Sequence, residues 1–165
     1  MCESDAWLED QMQHTLVAGD LLEQPVEAIV NPWNQNILPW WLLMPHGVSG
    51  AIKKRGGLQP FRELAQQGRL VLGSAVYTSA GELPYKYIIH VVSINVLGNT
   101  SAATIRVCVT NALQVALSLD IGSVAFPIIG AGSAGYNPSQ AEQIMVETIQ
   151  TTPGDLAVYM VRFKQ

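Results

Sequence analysis

The chain is short of charge. Asp, Glu, Lys and Arg make up 13% of its 165 residues, and the net charge is −4. No basic run exceeds Lys53-Lys54-Arg55, so the broad electrostatic footprint of a nucleic-acid binder is missing. Cysteine is scarce as well. Cys2 and Cys108 have neither metal-ligand spacing nor the density of a disulfide framework, which fits a reducing, cytoplasmic setting. His14, His46 and His90 do not cluster with one another or with cysteine, so neither a metal nor a cofactor is expected. Long apolar runs are absent. The most apolar stretch, Ile37 to Met44, is far too short to span a bilayer, and the acidic start MCESDAWLEDQMQ lacks a signal-peptide apolar region. No repeat, linker or low-complexity tract interrupts the chain. Its length suggests one domain over residues 1–165, with 1–13 as an N-terminal extension or a first edge strand.

What is present is a large apolar fraction, 48%, in an alternation of strand and helix patterns. His14–Leu21 and Glu27–Val30 read as strands, Val48–Arg55 as a short helix closed by Gly56-Gly57, and Pro60–Gln67 as another. Leu70–Thr78 and Tyr85–Ile94 are strand-like, and Thr100–Leu119 is the longest helix. Strand Val124–Ile129, helix Pro138–Thr151 and a last strand near Leu156–Phe163 complete the series. Near-continuous apolar strands between helices predict a buried sheet with helices on both faces. Ligands of such sheets sit at the carboxyl ends of strands, which makes the loops after Val30 and Ile129 the expected walls of a site.

The second of these loops carries the sharpest local signal. Val124 to Ile129 opens into Gly130-Ala131-Gly132-Ser133-Ala134-Gly135, almost bare of side chains, and a helix follows at once. Asn137 is placed to cap it, Pro138 suits its first position, and Gln140 sits where a capping box wants it. Bare backbone beside a helix N-terminus cradles an anion, although glycines also serve tight turns for geometry alone. Gly47-Val48-Ser49-Gly50 marks a second glycine-flanked helix start, and two such starts suit a diphosphate. The loop Asn31-Pro32-Trp33-Asn34-Gln35-Asn36 is rich in amides that suit sugar hydroxyls, and equally in turn formers. Asp20, after Gly19, offers a carboxylate to an exocyclic base amine, or simply shapes a turn.

Taken in order, Gly19-Asp20-Leu21, Val26 to Asn31 with Asn34, Gly47 to Ile52, Tyr87-Ile88-Ile89-His90-Val91, and Val124 to Pro127 with its glycine loop resemble a macro domain. The resemblance runs from about Val17 to Phe163. It implies a three-layer α/β/α sandwich around a mixed sheet and a cleft for ADP-ribose or an ADP-ribosylated protein. In many members it also implies hydrolysis of ADP-ribosyl bonds or of O-acetyl-ADP-ribose. It places Asp20 at the adenine, Asn34 at the distal ribose, and Gly47, Val48 and Ser49 on one side of the diphosphate, with Leu21 and Asn31 also among the ligand-binding residues. Gly130, Ala131, Gly132, Ser133, Ala134 and Gly135 would wrap the other side, with Tyr136 near the distal ribose and Phe163 stacking on adenine. His90 lies inside an apolar strand and reads as a packed, hydrogen-bonded core histidine.

The chain departs from the family pattern in three places. The usual glycine run before the second helix start is replaced by Ile37 to His46, leaving only Gly47. Trp40 and Trp41 in that insert are read as core filler, as a lid over the distal ribose, or as a contact between copies of the chain. Ser49 stands where several hydrolytic members carry Asp, and a neutral hydroxyl is no general base near neutral pH. The helix that usually follows the last strand is missing before Gln165. Two functions follow from the resemblance. One is a hydrolase or deacylase, with Asn34 orienting the sugar as its catalytic residue and His46 as a loop base or a bystander. The other is a non-catalytic reader of ADP-ribose.

Overall fold

The computed structural model describes residues 11–35 and 47–164. The Trp40–Trp41 insert, His46, Cys2 and residues 1–10 lie outside them. Six strands form one sheet: β1 (His14–Gly19), β2 (Ala28–Asn34), β3 (Ala75–Thr78), β4 (Tyr87–Ile94), β5 (Ser123–Pro127) and β6 (Ala157–Phe163), in the order β1-β6-β5-β2-β4-β3. All neighbours are parallel except β3, which runs antiparallel to β4 at the edge. The sheet is mixed, as expected.

Among the described residues four helices cover it: α1 (Gly47–Gly56), α2 (Gln59–Gln66), α3 (Ala102–Ser118) and α4 (Pro138–Thr151). On one face α3 and α4 pack Ile105, Val109, Leu113, Met145 and Ile149 against Ala28, Val30, Val124 and Phe126 of the strands. On the other face α1 and α2 pack Ile52, Phe61 and Leu64 against Ile29, Ile88 and Ala125. The alternation Ala28/Ile29/Val30 sends successive side chains to opposite cores, as the two-residue period of a strand requires. This is a three-layer α/β/α sandwich.

Local signals set the ends of the helices. Ser101 accepts from the Thr104 N–H at 3.1 Å to start α3, and Asn137 accepts from the Gln140 N–H at 3.1 Å to start α4, with Pro138 in its first turn. The expected strand at Leu70–Thr78 is shorter, because residues 70–74 turn. Gly73 takes φ +88°, and Ser74 bonds back to the Val71 carbonyl, so pairing begins only at Ala75. The expected loop from Asn31 is instead the second half of β2, which pairs with β4 as far as Asn34 through a register shift at Trp33/Asn34. Pro32 is tolerated there because pairing of β2 with β5 stops at Ile29↔Ala125, leaving one side of the strand open.

Candidate functional site

The open side of β2 marks the site. The chain leaves β2 toward α1 and α2 on one face, and leaves β5 toward α4 on the other. Adjacent parallel strands whose connections diverge in this way form a topological switch point, with a crevice beyond their carboxyl ends. The ladder between β2 and β5 stops at Ile29↔Ala125, so the crevice starts inside the sheet. The strand order also lays the expected contact residues along one edge. From β1 to β2 the edge carries Asp20 and Leu21, then Phe163, then the loop after β5, then Asn34 and the start of α1. Three strand spacings cover roughly 14 Å.

At one end, Asp20 caps the short 3-10 turn Leu21–Glu23 by accepting the Leu22 N–H at 2.8 Å. Its other oxygen meets Arg55, at the end of α1, at 2.5 Å. The Arg55 guanidinium also donates to the Leu22 carbonyl at 3.3 Å, so α1 and the turn after β1 are tied together at this corner. Leu21 is only 7% exposed, which leaves its backbone as the part able to meet a ligand. Phe163 pairs with Gly19 in the β1–β6 ladder and is 78% exposed, a free aromatic face one residue from Asp20.

In the middle, the loop from Gly130 to Tyr136 folds on itself. The Tyr136 N–H donates to the Gly130 carbonyl at 2.9 Å, and the Gly135 N–H to the Gly132 carbonyl at 3.0 Å. Gly130 (φ +86°) is buried, and a Cβ there would lie 3.1 Å from Thr100 and 3.2 Å from Ile105. The Ala131 N–H is taken by the Ile128 carbonyl, whereas the N–H groups of Gly132, Ser133 and Ala134 meet no acceptor among the described residues. Gly132 and Ser133 are exposed and Ala134 half-buried, so these are three backbone donors open to an anion. The capping oxygen of Asn137 already uses one free N–H of α4, so the loop rather than the helix end carries most of this capacity.

At the far end, Asn34 is exposed on the last residue of β2. Asn31 is not. It is fully buried, its Nδ2 lies 3.0 Å from Nδ1 of His90, and its Oδ1 accepts the Ser49 hydroxyl at 2.9 Å. The side chain expected to face a sugar is spent inside the fold, where an unpaired amide would be costly. Gly47 (φ +58°) opens α1 with nothing among the described residues within 4 Å of a would-be Cβ, while Val48 packs against the α1/α2 core. His90 is buried as expected, bonded also to Thr78 Oγ1 at 2.8 Å, and burial drags its pKa down to about 3. One group has no counterpart in the sequence reading. Lys53 Nζ stands 4.7 Å from the Phe61 ring centre and 5.8 Å from that of Trp33, and its burial lowers the ammonium pKa. Among the described residues no cluster of His, Cys, Asp and Glu is placed to hold a metal ion, and no helix is long and apolar enough to cross a membrane.

The comparisons with known proteins agree with this fold. A family model described as "Macro domain" matches residues 30–145. A macro domain-containing protein of Streptomyces nogalater is 38% identical over 157 residues, covering 90% of this chain and 82% of the relative. A protein of Enterobacter sp. named O-acetyl-ADP-ribose deacetylase is 35% identical, over 83% of this chain and 77% of its own. A mutant macrodomain of Oceanobacillus iheyensis with ADPR superposes with a TM-score of 0.76 at 28% identity, covering 92% of this chain and 86% of that one. A Trypanosoma brucei macrodomain in complex with ADP gives 0.74 at 25% identity, over 96% of this chain and 66% of that one. A model match over most of the sequence, with the switch-point crevice in the same fold, makes this chain a member of the macro domain family.

Proposed function

We propose that the chain binds ADP-ribose, or a close derivative of it, along the carboxyl edge of its sheet. The observation that carries this reading is the order of groups on that edge. An acidic acceptor and a bare aromatic stand at β1 and β6, open backbone donors follow β5, and an amide ends β2. That sequence suits adenine, then diphosphate, then a terminal ribose. Asp20 and Phe163 take the base, with Leu21 contributing backbone. Gly132, Ser133 and Ala134 take the diphosphate opposite Gly47 and Val48, and Ser49 stands toward the terminal sugar. Asn34 and Tyr136 take the terminal sugar. Similarity to macrodomains solved with ADPR and with ADP supports the ligand class. Titration calorimetry with ADP-ribose tests it: saturable one-to-one binding is expected, and no heat at high micromolar protein removes the reading.

The geometry favours a reader over a hydrolase. Among the described residues of the crevice none is placed as a general base. Ser49 is neutral and its hydroxyl is engaged by Asn31, while His90 is sealed in the core with both ring nitrogens bonded. Hydrolysis is the second reading, favoured by the 35% identity to proteins named O-acetyl-ADP-ribose deacetylase. In that reading Asn34 orients the sugar while water attacks an ester carbonyl or the anomeric carbon. An assay of acetate release from O-acetyl-ADP-ribose, run beside the titration, separates the two. Binding without release above background leaves the reader. A cytoplasmic setting suits Cys108, whose buried thiol is pushed up to about 12 and is inert.

A further inference from the structure

Four side chains connect the start of α1 to the far edge of the sheet. Ser49 Oγ lies 2.9 Å from Asn31 Oδ1, Asn31 Nδ2 lies 3.0 Å from His90 Nδ1, His90 Nε2 lies 2.8 Å from Thr78 Oγ1, and Thr78 Oγ1 lies 2.9 Å from the Ser79 carbonyl. Asn31 and His90 are directly opposite on β2 and β4, Thr78 lies on β3 two residues along from Val76, the residue opposite His90, and all three are at most 3% exposed. The far end is held in place, because Glu63 of α2 accepts both the Ser79 N–H at 2.8 Å and the Ser79 hydroxyl at 2.6 Å.

The chain has one direction. A carbonyl only accepts, so the single Thr78 hydroxyl proton goes to Ser79, and toward His90 the Thr78 oxygen is an acceptor. His90 therefore carries its proton on Nε2 and presents a bare Nδ1. Asn31 must meet that nitrogen with its NH2, which turns its oxygen toward α1. Ser49 then donates to Asn31, and its only proton is committed inward. The reverse order would require Thr78 to abandon the Ser79 carbonyl.

We propose that Thr78, His90 and Asn31 form a proton-ordered chain that makes Ser49 an acceptor-only group, so that its lone pairs select a hydroxyl of the ligand's terminal sugar and not a phosphate oxygen. Phosphate oxygens at neutral pH are acceptors and gain nothing from a second acceptor. Ser49 is partly exposed in the first turn of α1, next to the crevice end assigned to the terminal ribose. The sugar half of this proposal rests on the ADP-ribose reading above; the proton order does not. Asn31 and His90 act through Ser49 and are positioning residues.

Two measurements test it. Long-range proton–nitrogen spectra of the ligand-free wild-type protein near pH 7 should show the His90 proton on Nε2 and a bare Nδ1. A proton on Nδ1 overturns the chain whether or not any nucleotide binds. Calorimetry with ADP-ribose and with ADP, which lacks the terminal sugar, then reads the selection. Ser49→Ala and Thr78→Val should each weaken ADP-ribose by about fivefold, the worth of one neutral hydrogen bond, and leave ADP within about twofold. Thr78→Ser, which keeps the hydroxyl, should restore wild-type values. Equal losses for both ligands, or no loss for either, overturn the selection. If wild-type protein binds neither nucleotide, the functional reading falls and takes the sugar half with it, while the ring-proton result stands by itself.

Discussion

At Asp20 both carboxylate oxygens are already engaged, one by the Leu22 N–H and one by Arg55. Each oxygen keeps a further lone pair, so the pairing orients the carboxylate toward a base without consuming it. The ion pair is about a third exposed and contributes little stability by itself. Asp20→Ala should cost about 1 kcal/mol of stability, chiefly through the lost cap on the Leu22 N–H, and should weaken ADP-ribose by about ten- to a hundredfold, the loss of a charged hydrogen bond of about 1.5–3 kcal/mol. Calorimetry on the variant checks this, and an unchanged affinity removes Asp20 from the site. His90 makes a second residue-scale prediction. Burial holds its ring neutral in the folded chain down to about pH 3, against an ordinary value of 6.5. Below 6.5 the unfolded ring takes up a proton that the folded ring refuses. Stability is then fully present above pH 6.5 and declines by up to about 1.4 kcal/mol per pH unit toward pH 3 from this group. Urea melts at pH 7 and pH 5 read the effect, which should be largely absent in a folded His90→Gln variant.

Among the elements, the loop after β5 separates two uses of glycine that look alike in the sequence. Gly130 combines a left-handed φ with a crowded Cβ position, whereas Gly132 lacks a left-handed φ and has nothing among the described residues within 4 Å of a would-be Cβ. Gly130→Ala should cost about 1–2 kcal/mol from backbone strain, with the contacts to Thr100 and Ile105 adding to it. Gly132→Ala should leave stability within about 0.5 kcal/mol. In the proposed site the added methyl crowds a diphosphate held by the open N–H groups, so ADP-ribose binding should fall although the fold is intact. Thermal melts and titrations of the two variants distinguish a structural glycine from a recognition glycine. The caps follow the same logic of local chemistry. Asn137→Ala should cost about 1 kcal/mol, because α4 loses the acceptor that satisfies the Gln140 N–H.

For the molecule as a whole, a ligand that binds only the folded chain raises its melting temperature. At a hundredfold excess over Kd, ADP-ribose should stabilise by about 2.7 kcal/mol, which for a chain of this size is roughly 5–10 °C. A melt without a shift would speak against a nucleotide site in the crevice. Much of the architecture was legible along the chain. Helix α4 begins and ends where Asn137, Pro138 and the apolar spacing placed it, and the strands of the central sheet announced themselves by their Val and Ile content. The site was legible as a set of loops, and less so as a set of side chains. Asn31 looked like a surface amide because Asn-Pro reads as a turn, yet strand pairing with β4 carries it into the core. Arg55 looked like a helix-end cation and is also the partner of Asp20, 35 residues away.

The amino-acid sequence by itself determined what is local: where helices are capped, which runs bury, where a bare loop must bend, and that Ser49 is not an acid. Those outcomes depend on neighbours within a few residues, whose chemistry the chain order displays. Only the tertiary structure decided which of these pieces face one another. The β1-β6-β5-β2 order brings Asp20, Phe163, the Gly130 loop and Asn34 onto one edge, and the divergence of β2 from β5 opens the crevice between them. It also joins Ser49 to Asn31 and Asn31 to His90, across 18 and 59 residues of chain. The physical reason is that a buried polar atom must find a partner, and here the available partners lie on a neighbouring strand or on α1, distant in sequence.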